Sequence, residues 1–416
     1  MHYDLTTLPN GLRVISETMP GVRSVAVGCW VDTGTRDETA SEAGASHFLE
    51  HLLFKGTDEI SAREISETFD AMGAQSNAFT SKEYTCFWGR MVDEDLPTGL
   101  RLLSEMLQRP AFRESEIDSE RHVVIEEINM NEDDPNDVLF EAFSQQVFAG
   151  HPLERPILGT RDSILGMSRD DIAGYWARRY SVHSTVVAVA GNIDHADAVA
   201  LVGERFGEWE GGPVDHHLSP LELTQAAVAV TRDTEQAHLL VGGQGMNRDD
   251  DRRWAFEVMN HIMGGGMSSR LFRSIREERG LAYSVYSFAM PAADTGAWGV
   301  YAGTTPNNTD TVIELIREEF EAIIKKGVDE DELDRAKGNV RGSLALSIED
   351  ANSRMLRLGR QEITGGDHLS VGERIAKIQS VTGEEVRQVA DEILSGPKVL
   401  TAVGPFESSD LERYLS

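Results

Sequence analysis

Gly44-Ala45-Ser46-His47-Phe48-Leu49-Glu50-His51-Leu52-Leu53-Phe54 is the stretch on which the reading of the whole chain turns. Phe48 and Leu52 share one helical face at i,i+4, and Leu49 and Leu53 share the next. That spacing predicts a helix largely embedded in apolar surroundings. Gly56, just past its end, suits a C-terminal stop. His47 and His51 stand four apart, so their β-carbons lie about 5–6 Å from each other on one face. Both imidazoles can then reach a single ion at about 2.0–2.1 Å.

Glu50 adjoins His51 and follows His47 by three residues. It is near enough to take a proton from a metal-bound water without being a ligand, which is the inverted form of the helical zinc-peptidase motif. A catalytic zinc wants three protein ligands and one open position, so two histidines need a partner. The best candidate lies in Glu120-Arg121-His122-Val123-Val124-Ile125-Glu126-Glu127, within a second long helix. Glu120 and Glu127 are seven apart, about 20° short of two full turns, and face the same way, whereas Glu126 points roughly 100° away. Glu127 is therefore the expected third ligand, and Glu120 a carboxylate that orients a ligand or tunes the site. With 12 histidines in 416 residues, and all 70 acidic residues counted as glutamate, chance gives at most about 0.06 matches to the motif. The plain structural alternative is a helix whose histidines are satisfied in the core. Two histidines and a glutamate on an apolar helix would be costly to bury without a partner such as a metal.

Outward from the motif, the chain repeats itself. Ser24 to Val31 leads through a polar loop to the motif helix, and Ala237 to Gly242 leads to a helix ending near Met263. With His51 laid on His261, Glu50 meets Asn260 and His47 meets Glu257. Further on, Glu116 lies over Glu332, Pro135-Asn136 over Ala351-Asn352, Glu120 over Ala336 and Glu127 over Ser343. Ser168 to Ile172 resembles Thr382 to Val386, and each leads to a late strand ending in glycine, at Gly191 and Gly404. The offsets of 210, 216 and 214 residues agree closely, and so long a period points to two copies of one domain rather than a solenoid. Each copy mixes strands with long helices. The expected fold class is α+β, two homologous domains in tandem, each with helices packed on a mainly antiparallel sheet. The expected boundaries are 1–210 for the metal-binding domain, 211–222 for the linker and 223–416 for a second domain that has lost the ligands. The linker placement rests on the Gly, Pro and charged residues of Glu208 to Pro220. Its His216-His217 pair reads as linker polarity rather than as ligands.

Composition bounds the rest. Acidic residues outnumber basic ones 70 to 39, a net charge of -31. A phosphate-binding surface needs clustered Lys and Arg, and such a chain repels nucleic acid overall. Cys29 and Cys86 are the only cysteines and sit in apolar, strand-like text, which suggests a reducing compartment with two buried thiols. The polar N-terminus lacks the pattern of a signal peptide, and no run of about 18 apolar residues could cross a membrane. The expectation is a cytoplasmic protein with no membrane and no nucleic-acid partner.

At these residues the chain resembles the pitrilysin/insulinase family of zinc metallopeptidases, in its short-chain branch with mitochondrial processing peptidase and its bacterial relatives. His47-Phe48-Leu49-Glu50-His51, the 76-residue interval to Glu127 and the acidic Glu120 carry the resemblance, which runs from about Leu5 to the end. Gly264 to Val285 looks like the family's C-terminal signature, and Arg276 and Tyr283 match an Arg and a Tyr seven apart that steady the oxyanion formed during attack. Read without the resemblance, Arg276 pairs with a surface carboxylate and Tyr283 packs in a sheet. Asn77, Ala78 and Phe79 match the start of an edge strand on which a peptide substrate adds in extended form; their plain reading is a polar turn.

The resemblance implies one Zn2+ per chain, a homodimer, and a metalloendopeptidase that cuts short unstructured peptides with Glu50 as general base. In the implied dimer Arg276 and Tyr283 act on the partner chain's zinc. The alternatives are a processing peptidase for targeting sequences and a non-catalytic assembly subunit of the same family. A structural zinc is a weaker alternative, since such sites prefer cysteines and neither cysteine is near the motif.

Overall fold

Alternating Val and Ala residues build the centre of each half, and in the computed structural model, which describes residues 3–415, they form two sheets. The first sheet contains β1 (Asp4–Thr7), β2 (Arg13–Thr18), β3 (Ser24–Val31), β4 (Gln75–Thr80), β5 (Thr85–Val92) and β6 (Thr185–Gly191), in the order β1-β2-β6-β3-β5-β4. The second contains β7 (Ala226–Thr231), β8 (Ala237–Gln244), β9 (Ala282–Pro291), β10 (Gly296–Thr304) and β11 (Lys398–Gly404), in the order β7-β11-β8-β10-β9. Only the pairs β2–β6 and β7–β11 are parallel; the rest are antiparallel. With β1 set aside, the two orders coincide strand for strand, so the repeat is a repeat of topology.

The helices follow the same register. Among others, four helices of each half recur in equivalent places: α1 (Ala45–Leu53), α2 (Glu114–Asp133), α3 (Pro135–Val147) and α4 (Arg169–Arg179) in the first half, and α5 (Arg253–Gly264), α6 (Glu330–Ser347), α7 (Ala351–Ile363) and α8 (Gly383–Ser395) in the second. Local chemistry sets their starts. Ser168 caps α4 in a capping box with Asp171, and Thr382 caps α8 in the same way with Glu385. The fold class is as expected: two tandem α+β domains with mainly antiparallel sheets.

Packing departs from contiguous halves in one respect. The chain divides into two compact units, each of three segments. One holds residues up to Asn129, Arg155–His217 and Ala345–Val371; the other holds Met130–Glu154, Leu218–Leu344 and Gly372 onward. Each unit therefore contains one helix from the opposite half of the sequence, α7 in the first unit and α3 in the second. The division at 1–210 and 223–416 follows the repeat, whereas these two helices, which occupy equivalent places in it, follow the packing.

In the first unit β3 reads as a nearly continuous apolar run because both of its faces are covered. Val25, Val27, Cys29 and Val31 face the core that holds α1, while Ala26 and Trp30 face Met355 and Leu358 of α7. Glycine lets that helix come close. A β-carbon at Gly359 would lie 1.9 Å from the indole nitrogen of Trp30, and one at Gly28 would lie 2.3 Å from the sulfur of Met355. Charge fixes the helix further. Buried Glu17 on β2 takes Arg354 at 2.6 Å and Arg357 at 2.5 Å, and Glu362 pairs with Arg13 at 2.8 Å. In the second unit α3 buries Leu139, Phe143 and Val147 against Leu240, Tyr301, Val399 and Val403.

Residues 209–225, which include the expected linker 211–222, contain no helix or strand. His216 within it does more than add polarity. Its ring nitrogens lie 3.0 Å from Asp32 and 2.8 Å from Asp37, and Asp37 also takes Arg179 at 2.8 Å. The hydrogen bonds to Asp32 and Asp37 raise the His216 pKa to about 9, so it is a cation at neutral pH. A raised folded-state pKa stabilises fully below the ordinary value of 6.5, and the gain is lost as pH rises through about 9. His216→Gln should therefore unfold at lower urea than wild type near pH 6.5, with the gap closing above pH 9. A gap that stays constant across that range would remove His216 as its source.

Candidate metal centre

The motif helix is held at its first turn by groups that only this local sequence supplies. Gly44, its N-cap, has φ +88°, and a β-carbon there would lie within 3 Å of the backbone at Leu158 and Gly159, so both conformation and space demand glycine. The backbone N–H groups of Gly44 and Ser46 donate to the carboxylate of buried Glu38, each at 2.8 Å. Burial lifts the Glu38 carboxyl to about 8 while those donors pull it down. The Ser46 hydroxyl meets the Tyr175 hydroxyl at 2.8 Å. Phe48, Leu49, Leu52 and Leu53 then sink into the core and turn the remaining polar face toward α2.

On that face three ligand atoms converge. His47 Nε2 and His51 Nε2 each lie 3.4 Å from the same oxygen of Glu127, and all three atoms lie within 4.8 Å of one another. Two ligands on a tetrahedral zinc stand about 3.3 Å apart, so the set fits such an ion. Burial, helped by neighbouring His51, pushes the His47 pKa down to about 4, which leaves a neutral imidazole. Glu120, 5% exposed, places Oε2 3.2 Å from His51 Nδ1. That contact assigns the proton to Nδ1 and leaves the Nε2 lone pair for the ion. Glu126 is exposed and hydrogen-bonded to Asn129, away from the cluster.

Glu50 is half-buried beside the cluster, and its Oε2 accepts a hydrogen bond from the Thr80 hydroxyl at 2.6 Å. Burial raises its pKa, the Thr80 and His51 side chains lower it, and Glu127 raises it again. Asn77, Ala78 and Phe79 lie on β4, which among the described residues pairs with β5 alone and forms one edge of its sheet. Asn77 Oδ1 accepts the backbone N–H of Ala78, and Phe79 packs edge-on against Trp30. The segment is thus strand rather than turn.

Arg276 and Tyr283 belong to the second unit and cluster with each other. The Arg276 guanidinium lies 4.9 Å from the Tyr283 ring and 4.8 Å from the Phe272 ring. Tyr283 is on β9 yet 80% exposed. Among the described residues Arg276 makes no ion pair, and Tyr283 is exposed on its strand.

Three supporting residues were not singled out by sequence reasoning: Glu38 at the start of α1, Thr80 against Glu50, and Lys55, whose Nζ lies 2.6 Å from Glu120 Oε1. Only Lys55 had a local signal, standing four residues after His51. In the second unit, Glu257, Asn260 and His261 on α5 replace His47, Glu50 and His51, and Ala336 and Ser343 replace Glu120 and Glu127. Among the described residues, no second group of three potential ligands forms.

Three potential ligand atoms thus converge beside a further carboxylate, an arrangement able to hold a metal ion next to a proton acceptor. Comparison with known proteins agrees. Residues 13–161 match the sequence profile of the insulinase family, peptidase family M16, and residues 166–340 match that of the peptidase M16 inactive domain. An uncharacterized zinc protease of Streptomyces coelicolor is 43% identical, over 98% of this chain and 91% of that protein. Another of Bacillus subtilis is 39% identical, over 96% of this chain and 97% of its own. In fold, a protease from Helicobacter pylori matches with a TM-score of 0.93 at 21% identity, covering 97% of this chain and 99% of that one. A structure described as a peptidase M16 inactive domain, from Pseudomonas fluorescens, matches with a TM-score of 0.91 at 20% identity, covering 98% of each. The chain belongs to the insulinase family of peptidases. Among the described residues, no helix is long and apolar enough to cross a membrane.

Proposed function

We propose that this protein is a zinc-dependent endopeptidase of unstructured peptides, with one Zn2+ per chain held by His47, His51 and Glu127. The observation that carries the reading is the placement of two histidine nitrogens at 3.4 Å from one Glu127 oxygen, with Glu50 alongside and outside the ligand set. When bound, zinc supplies Lewis acidity toward a peptide carbonyl and makes water a better nucleophile at neutral pH.

The chain's own residues do the rest. Glu120 holds the Nδ1 proton of His51. The Thr80 hydroxyl holds Oε2 of Glu50, and the Glu50 carboxylate receives a proton from water and later passes it to the leaving amine. The open edge of β4 offers backbone groups to an extended peptide, which favours unstructured substrates over folded ones. Arg276 and Tyr283 offer a cation and a hydroxyl for an oxyanion. In this reading the protein is a homodimer in which they serve the partner's zinc, and its two buried free thiols suit a reducing, cytoplasmic setting.

The test is to incubate purified protein with a mixture of unstructured peptides, identify products by mass spectrometry and measure zinc. About one zinc per chain is expected. Cleavage should stop on chelation and return on adding zinc. Zinc without cleavage would favour a non-catalytic assembly subunit. Cleavage confined to targeting-type sequences would favour a processing peptidase.

A further inference from the structure

Two carboxylates on one face of α2 approach the same imidazole from opposite sides. Glu127 reaches His51 Nε2 at 3.4 Å, and Glu120 reaches His51 Nδ1 at 3.2 Å. Both are chemically able to ligate zinc, and a histidine can offer either nitrogen. Something must fix which carboxylate binds and which supports. Lys55 distinguishes them. It follows the last turn of α1, its backbone N–H bonded to Leu52 O at 3.0 Å, and its stem is largely covered. Its ammonium meets Glu120 Oε1 at 2.6 Å, and among the described residues it makes no ion pair with Glu127. One oxygen of Glu120 is thereby committed to Lys55, and the other faces the imidazole.

We propose that Lys55 is a positioning residue of the metal centre. It anchors Glu120 outside the ligand set, so that Glu120 fixes His51 with Nδ1 protonated and Nε2 presented alongside His47 and Glu127. In this role Lys55 acts on the ligand set only through Glu120. The inference rests on the zinc reading above. The competing account is a plain ion pair that ties α1 to α2, which would affect folding and leave metal binding alone.

The experiment measures zinc affinity by chelator competition, and the visible spectrum of the Co2+-substituted protein, for wild type, Lys55→Arg, Lys55→Gln and Lys55→Met. Loss of an outer partner of a ligating histidine typically weakens metal binding about 10- to 100-fold. That weakening is expected for Lys55→Met, with a changed cobalt spectrum because His51 is no longer held. Lys55→Arg should stay within a few-fold of wild type because it keeps the charge, and Lys55→Gln should fall between. If Lys55→Met does not fold, the comparison of Lys55→Gln with Lys55→Arg decides. Equal affinities and unchanged spectra across the folded variants would overturn the proposal and leave the zinc reading intact. Wild type that binds neither metal would overturn both.

Discussion

Glu50→Gln should hold zinc as wild type does and cleave peptides about 10^2- to 10^4-fold more slowly, the range for loss of a general acid–base. The substitution is nearly isosteric. The amide oxygen still accepts the Thr80 hydroxyl, so the half-buried side chain keeps its place at the end of β4. Glu50 is not one of the three converging ligands, so the ion should stay. What disappears is the carboxylate's capacity to take a proton. Steady-state rates on one peptide, with metal content measured in the same samples, check both halves. Activity within a few-fold of wild type would mean that another group takes the proton, and loss of zinc would mean that Glu50 supports the site rather than acting in it.

The second large effect is on stability. Glu17→Ala should lower the unfolding free energy by about 3–5 kcal/mol, as expected when one partner of a buried ion pair is removed. The Glu17 side chain is 3% exposed and takes two guanidinium groups, Arg354 at 2.6 Å and Arg357 at 2.5 Å. Removing it leaves two largely buried cations facing the space it filled. Arg354→Met should do less, because Arg357 still neutralises the carboxylate. Urea denaturation of the three proteins gives the comparison. A change near 1 kcal/mol or less for Glu17→Ala would place the cluster among ordinary surface pairs.

What could be read from the sequence was what depends on near neighbours. Helical phase alone put His47 and His51 on one face and separated Glu127 from Glu126. Repeated caps at Ser168 and Thr382 and repeated strand ends at Gly191 and Gly404 made the tandem fold visible. Cys29 and Cys86 read as buried free thiols, as they are, although they face opposite sides of one sheet. What could not be read was partnership across the chain. Thr80 is 30 residues from Glu50, and Lys55 and Glu120 are 65 apart. Nothing local marks either pair. His216 looked like a solvated linker residue because Asp32 and Asp37 lie about 180 residues away. An apolar stripe on α7 shows that the helix is covered, and the stripe does not say by which sheet.

The exchange of α3 and α7 bears on how the polypeptide is made. A ribosome finishes every strand of the first sheet by Gly191, yet the face carrying Ala26, Trp30 and Ala188 lacks its covering helix until Ala351–Ile363 emerges. For roughly 160 residues of synthesis that apolar surface is bare, a span in which nascent chains are prone to aggregate and engage chaperones. Cut at the linker, each piece would carry a helix that packs in the other unit and lack the equivalent helix of its own.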